Sequence, residues 1–216
     1  IFDASGALIR TLKVTPKNDG LNRMYWRMDR KGVRFPSYRT LPARFRNQEP
    51  GGISVIPGTY KVKVSYMGDQ DSTMVKVIAD PRIADPMSAK KERSAMADKM
   101  MKKVKVLTKA VNRLKEAQKT MKMAMSQMKG QKGDAVKAAR KKGKAVGKKM
   151  NKLMGMILGK RKQKGINRNP KLVSAQMRTA MGYMRGARGT MNSNQKTAMK
   201  LGEKAMKDAV NKINAF

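Results

Sequence analysis

Residues 56–82, IPGTYKVKVSYMGDQDSTMVKVIADPR, constrain the fold of this chain more than any other stretch. The first part alternates apolar and polar residues, as a half-buried antiparallel strand requires, and its apolar face consists of Tyr60, Val62, Val64 and Tyr66. Turn residues at 68–71 separate this run from a second alternating run, which ends before Pro81 because proline removes a ladder donor. The pattern predicts a β-hairpin whose first strand turns Tyr60, Val62 and Val64 inward.

The residues before the hairpin show similar strand signals. Residues 1–14 predict two strands around a Ser5-Gly6 turn, and residues 21–28 predict another strand that contains the only tryptophan, Trp26. A single tryptophan in a strand is usually packed in a core, although Trp26 and Tyr25 together could also form a sugar-binding platform. We therefore predict an antiparallel β-sandwich over residues 1–85, with Trp26 facing inward.

The apolar residues change from a strand period to a helical period after Pro86. Residues 87–129 contain neither proline nor glycine and predict one long helix, whose core stripe includes Leu107, Val111 and Leu114. The methionines at 121–128 continue this stripe. Such a stripe is usually part of a core, and the alternative is an adaptable binding groove.

Three further helices follow from the same period. The second is predicted to begin at Asp134 as its N-cap, and the third contains the repeat at 173–184. The fourth is predicted to be capped by Ser193 or Asn194, with Met199, Met206 and Phe216 on one side of it. A polar loop is expected at 160–170. The chain is therefore predicted to be an α+β protein with two domains: a β-sandwich at 1–85, and an antiparallel helical bundle or long helical hairpin at 86–216.

Positive charge is concentrated in the helices. The chain has 51 Lys and Arg against 14 Asp and Glu, and residues 86–216 contain 36 of the basic residues and six of the acidic ones. Such an excess usually indicates a polyanionic partner, because neutralising phosphates releases counterions. A run of lysines can also be no more than a solvated helix face. The candidate partner surface consists of Lys137, Lys141, Lys144 and Lys148, at three- and four-residue spacing.

The composition argues against catalysis. Without His or Cys, the chain can form neither a Ser-His-Asp nor a Cys-His arrangement. Asp69, Asp71 and Ser72 could offer oxygen ligands to Ca²⁺, but aspartates at a hairpin tip usually serve the turn. No apolar run is long enough to span a membrane. We expect no catalytic residues, no cofactor, no bound metal and no membrane span.

Five motifs occur in a fixed order: I-x-D-x-x-G-x-x-I-R-x-L at 1–12, G-L-N-R-x-x-W at 20–26, D-R-K-G-V-R at 29–34, P-G-T-Y-K-V at 57–62 and D-P-R at 80–82. In this order they resemble the C-terminal region of bacterial sortilin-like proteins with Asp-box (BNR) β-propellers, which are often described as glycosyl hydrolase-like. In that family a propeller precedes an Ig-like domain, similar to the flagellar hook-cap type, and a helical region follows.

The resemblance implies an Ig-like sandwich, a propeller upstream and an extracytoplasmic location in a bacterium: periplasmic, on the cell surface or secreted. Ile1 enters a predicted strand directly, which fits a piece of a longer polypeptide. We expect a non-catalytic structural and interaction module whose partners are its own propeller, other proteins or further copies of itself. The alternative is a basic nucleic-acid-binding protein that uses the Lys-rich helices. We expect nucleic acid less, because the helices lack aromatic and Arg-rich base-contact patterns.

Overall fold

The computed structural model of the chain describes residues 1–17, 19–39, 41–160 and 169–216, except for the side chains of residues 43 and 44. In chain order the elements are β1 (Asp29–Lys31), α1 (Ala43–Arg46), β2 (Gly51–Ser54), β3 (Gly58–Tyr66), β4 (Asp69–Val77), α2 (Met87–Gln127), α3 (Asp134–Leu158), α4 (Val173–Gly186) and α5 (Ser193–Asn214). The chain is therefore α+β, as predicted. Most of the polar loop expected at 160–170 lies outside the described residues.

The chain divides into two compact units. The first comprises Ile1–Val33, Thr40–Met101 and Arg185–Met191, and the second comprises Arg34–Arg39, Lys102–Met184 and Asn192–Phe216. Residues 87–101 of α2 thus belong to the first unit and residues 102–127 to the second. The predicted domain boundary after residue 85 marks the change from strands to helices, and as a domain boundary it stays a prediction.

The described strands form two antiparallel pairs in the first unit, β1 with β2 and β3 with β4. In the β3–β4 hairpin, Tyr60 lies opposite Val75 and Tyr66 lies opposite Asp69. The turn consists of Met67 and Gly68, both with positive φ. The predicted turn at 68–71 is therefore wrong in position. Met67 itself adopts the left-handed conformation, so β4 can begin at Asp69 and the turn needs only two residues.

The residues before β1 form less sheet than predicted. Phe2 makes isolated bridges with Leu8 and Lys61, and residues 21–27 form no strand. The prediction of a strand at 21–28 is wrong. Local bonds replace a ladder here: the Asn22 side chain accepts from the backbone N–H of Lys17 and donates to the carbonyl of Gly20. Such side-chain bonds offer the backbone an alternative to pairing with another strand.

The core of the hairpin contains Tyr60, whose ring packs edge-on against Trp26 with the ring centroids 5.5 Å apart. Trp26 and Val62 are half-buried, while Lys61 and Lys63 are exposed, so the predicted register is confirmed. The prediction that Val64 points inward is wrong, because 52% of the surface of this residue is exposed. Among the described residues no element covers the end of the hairpin beyond Val62.

The long helix α2 matches its prediction. It runs from Met87 to Gln127 without a break, and Leu107, Val111 and Leu114 are buried.

The predicted N-caps of α3 and α5 are both wrong. Gly133 occupies the N-cap position of α3, so Asp134 is the first helical residue. Asn192 caps α5 through reciprocal bonds with Gln195, rather than Ser193 or Asn194.

The inner faces of the last three helices form much of the core of the second unit. They bury mainly methionine together with small or branched residues: Met150, Met154 and Ile157 of α3, Val173, Met177, Ala180 and Met184 of α4, and Met199, Met206 and Ala209 of α5. Methionine fills irregular gaps because it is unbranched and flexible. Phe216, expected on the same side of the helix as Met199 and Met206, lies beyond Asn214, the last residue of α5, and is exposed.

Candidate functional site

The four lysines predicted as a partner surface lie on α3 and are all exposed. At 3.6 residues per turn, Lys137, Lys141, Lys144 and Lys148 fall within about 60° of one another around the helix axis. They extend over about 16 Å along the axis, with neighbours about 5 to 6 Å apart. We call these four residues the α3 lysine row. Lys152 continues the row by one more turn.

The α3 lysine row faces the solvent because the opposite side of α3 packs into the core. Gly143, Met150, Met154 and Ile157 are buried there. At Gly143 the helix packs against methionines of α2: a Cβ added to this glycine would lie 2.6 Å from the sulfur of Met125 and 3.4 Å from that of Met121. Burial of this side leaves the lysine side to the solvent.

Few negative charges accompany the α3 lysine row. The helix contains eight basic residues and a single acidic one, Asp134. The Lys137 ammonium contacts the Asp134 carboxylate at 3.1 Å, but both side chains are largely exposed, so the pair contributes little. Within the described part of the chain, Lys141, Lys144 and Lys148 form no ion pair with an acidic side chain. Like charges three and four residues apart destabilise a helix, by about 0.2 to 0.5 kcal/mol per pair.

The lysine side of α3 also lacks apolar anchors. No large hydrophobic side chain of this helix is exposed, and the helix contains no aromatic residue. Exposed hydrophobic side chains in the second unit occur on other helices, such as Met123 of α2, Tyr183 of α4 and Leu201 of α5. The α3 surface can therefore attract a partner by charge, and it offers no pocket for an apolar anchor.

Sequence analysis missed a similar row on α5. Lys196, Lys200, Lys204 and Lys207 are exposed and fall within about 80° of one another. We call them the α5 lysine row. Their spacing of four, four and three residues was the signal that could have revealed it. This row differs in its surroundings, because the acidic residues Glu203 and Asp208 flank it on either side around the helix axis.

The structure does not bring together the residues of the two other candidate sites, the Tyr25–Trp26 sugar platform and the Ca²⁺ ligands of the hairpin. Tyr25 is exposed while Trp26 packs against Tyr60, so the two do not form a joint platform. Asp69 and Asp71 lie in β4 and not in the turn, opposite Tyr66 and Val64. In the part of the chain that the structure describes, no three of the residues His, Cys, Asp and Glu lie close enough together to hold a metal ion.

The largely buried carboxylate of Asp85 serves as a structural anchor. Asp85 accepts a hydrogen bond from the Arg93 guanidinium at 2.5 Å and another from the backbone N–H of Gly189 at 2.9 Å. The bond from Arg93 is the main reason that the pKa of Asp85 lies below its usual value. Asp85 is therefore ionised at neutral pH and holds residue 189 to the start of α2. It is not poised to donate a proton.

A small cleft in the first unit has its charged groups already paired. Its volume is about 220 Å³, below the usual range for ligand pockets. Arg30 donates to both carboxylate oxygens of Asp98, and the Lys31 ammonium contacts Glu49 at 2.6 Å. The cleft is lined by Ile9, Arg30, Lys31, Gly52, Ile53, Asp98 and Met101. A ligand there would have to displace these ion pairs.

Two further findings bear on function. None of the described helices is long and apolar enough to cross a membrane. Comparison of the chain with protein-family models, with curated proteins and with solved structures finds no match.

Proposed function

We propose that this chain is a non-catalytic interaction module that binds an acidic partner through the α3 lysine row. The observation that carries the proposal is the alignment of Lys137, Lys141, Lys144 and Lys148 on the solvent side of a helix whose other side is buried. These cations are held in a line by a rigid element. An extended anion can contact all four without any rearrangement of the backbone.

Electrostatics supply the driving force. The lysines repel one another in the free protein, and within the described chain Asp134 alone pairs with the row. A partner with closely spaced negative charges relieves this repulsion and gains several ion pairs at once. Because the row is exposed, its attraction is screened by salt, so binding should weaken as the ionic strength rises.

The non-catalytic part of the proposal is supported by chemistry. The chain has no His and no Cys to act as a base or nucleophile. Several carboxylates are already used in ion pairs, among them Asp29 with Arg10, Asp98 with Arg30 and Glu203 with Lys103. Each of these carboxylates is already occupied by a cation of the chain itself.

The resemblance to sortilin-like propeller proteins adds the setting. We propose that the β-rich part belongs to an Ig-like sandwich that braces an upstream propeller in an extracytoplasmic bacterial protein, and that the helices form an antiparallel bundle. Two features of the hairpin support this: β4 pairs only with β3 among the described strands, and Val64 and Tyr66 are exposed on one face. Further strands could pair with the open edge of β4, and a second sheet or a neighbouring domain could cover Val64 and Tyr66.

The setting is tested by reading the gene upstream of Ile1. A signal peptide followed by propeller repeats is the expected result. A cytoplasmic protein without such repeats would contradict it.

The binding function is tested with two defined polyanions, a short DNA duplex and poly-L-glutamate. The row variant carries Lys→Gln at 137, 141, 144 and 148, and the control variant carries Lys→Gln at 196, 200, 204 and 207, so that both lose the same charge. At low salt the unaltered chain should bind at least one polyanion, and the row variant should bind it about tenfold more weakly or worse. The proposal fails if the chain binds neither polyanion.

A further inference from the structure

We infer, on the basis of the proposed function, that the partner of the α3 lysine row is the phosphate backbone of duplex nucleic acid, contacted without reading of the bases. The row consists of evenly spaced lysines, and no apolar anchor or aromatic residue lies beside it on α3.

The absence of an apolar anchor on α3 argues against a protein partner. Protein interfaces depend on a desolvated centre of aromatic and large apolar side chains, and charged residues at the rim add little affinity. The exposed side of α3 carries lysines, with Ala138, Ala145 and Asn151 between them. A membrane surface is disfavoured for the same reason, because an interfacial helix must bury an apolar face in the lipid.

The spacing of the row suits a dense line of phosphates. Duplex DNA carries one negative charge per about 1.7 Å of its axis, so a segment as long as the row presents roughly ten phosphates. Each lysine is a flexible point charge with three donors, and needs no fixed geometry to reach one of them. Release of the counterions condensed on the duplex then supplies the binding free energy.

The same residues exclude base recognition. Arginine reads guanine through the fixed, planar fork of its guanidinium, whereas lysine is a flexible point charge, and single strands are held by stacking on aromatic side chains. The α3 lysine row contains no arginine, and the helix has no aromatic residue. Binding should therefore be independent of sequence, and a duplex should bind more tightly than a single strand of equal length.

The experiment is a salt titration with the full chain, followed by fluorescence anisotropy of a labelled duplex. The log of the affinity falls linearly with the log of the salt concentration, with a slope near −0.9 for each phosphate neutralised. The row variant removes four lysines, so the slope should become less steep by roughly 3 to 4. The α5 variant should change the slope less than the row variant does, since Asp208 and Glu203, which pairs with Lys103, lie beside that row. Circular dichroism confirms that both variants remain helical.

The outcomes separate the inference from the proposed function. Tighter binding of the duplex than of poly-L-glutamate, anionic lipid vesicles or a single strand, together with a larger loss of slope in the row variant than in the α5 variant, supports the inference. Tighter binding of poly-L-glutamate through the same row overturns the inference and leaves the proposed function intact. Equal loss of slope in both variants overturns the assignment to α3, and binding of no polyanion overturns both statements.

Discussion

Gly202 of α5 lies directly against Ala180 of α4. A Cβ added to Gly202 would lie 3.1 Å from the Ala180 Cβ and 3.3 Å from the carbonyl oxygen of Gln176. Glycine costs a helix interior about 1 kcal/mol relative to alanine, and here this cost is offset by the close approach of two helices. The close contact between the two helices gives a physical reason for a glycine inside α5.

The first prediction compares this glycine with one that has room. At Gly147 of α3 nothing lies within 4 Å of an added Cβ, so Gly147→Ala should raise the free energy of unfolding by about 0.5 to 1 kcal/mol. Gly202→Ala should give no gain and should cost about 1 kcal/mol or more, because the backbone of α4 must shift. Urea denaturation of both variants measures the difference. Equal stabilisation by the two changes would show that the helices do not meet at Gly202.

The second prediction concerns the aromatic pair in the first unit. Trp26→Ala removes the ring that packs on Tyr60 and the hydrogen bond from the indole N–H to the Asp29 carbonyl. It should lower the free energy of unfolding by about 2 kcal/mol or more. Val64→Ala, on the exposed part of the same hairpin, should change it by less than about 0.5 kcal/mol. A larger cost at Val64 than at Trp26 would contradict the described core.

The third prediction separates two adjacent cap candidates. The Asn192 side chain accepts from the backbone N–H of Gln195 at 2.9 Å, and the Gln195 side chain accepts from the backbone N–H of Asn192 at 3.0 Å. Asn192→Ala should therefore cost about 1 kcal/mol in thermal denaturation. Asn194→Ala should have little effect, because that residue lies inside the first turn. A larger loss of stability in Asn194→Ala than in Asn192→Ala would show that Asn194 caps the helix, as predicted from the sequence.

The fourth prediction concerns acid. The pKa of Asp85 is lowered in the folded chain, chiefly by the Arg93 hydrogen bond, from an ordinary value of 3.8. Its carboxylate therefore contributes stability above that pH, and the contribution is lost as the pH falls through the lower folded pKa. Asp85→Asn keeps an acceptor for the Gly189 N–H but removes the charge. The stability difference between the two proteins should be constant at neutral pH and should shrink below about pH 4; a difference that grows in acid would contradict this role.

The sequence predicted the helical part better than the β part, for physical reasons. A helix is defined by bonds within its own segment, so an apolar period and the absence of proline sufficed for α2 and its buried Leu107, Val111 and Leu114. Strands need partners from elsewhere. The alternation at residues 60–66 gave the register of β3, but it could not reveal that coverage ends near Val62 and leaves Val64 exposed.

The candidate site was predictable in one respect. The three- and four-residue spacing is sufficient by itself to place Lys137, Lys141, Lys144 and Lys148 on one face of a helix. The same rule places Glu203 and Asp208 beside the α5 lysine row, but it could not reveal that Glu203 pairs with Lys103 of α2, because that contact depends on how the helices pack. The capping side chain of Asn192 was missed since Ser193 and Asn194 are equally good cap residues by type.

The most direct test of the central claim is lysine footprinting. The full chain is acetylated with and without a saturating short DNA duplex, and the modification of each lysine is quantified by peptide mass spectrometry. We expect several-fold protection of Lys137, Lys141, Lys144 and Lys148, and little protection of the α5 lysine row, which serves as an internal control. Equal protection of the two rows, or stronger protection on α5, would contradict the claim that the α3 lysine row is the surface that holds the acidic partner.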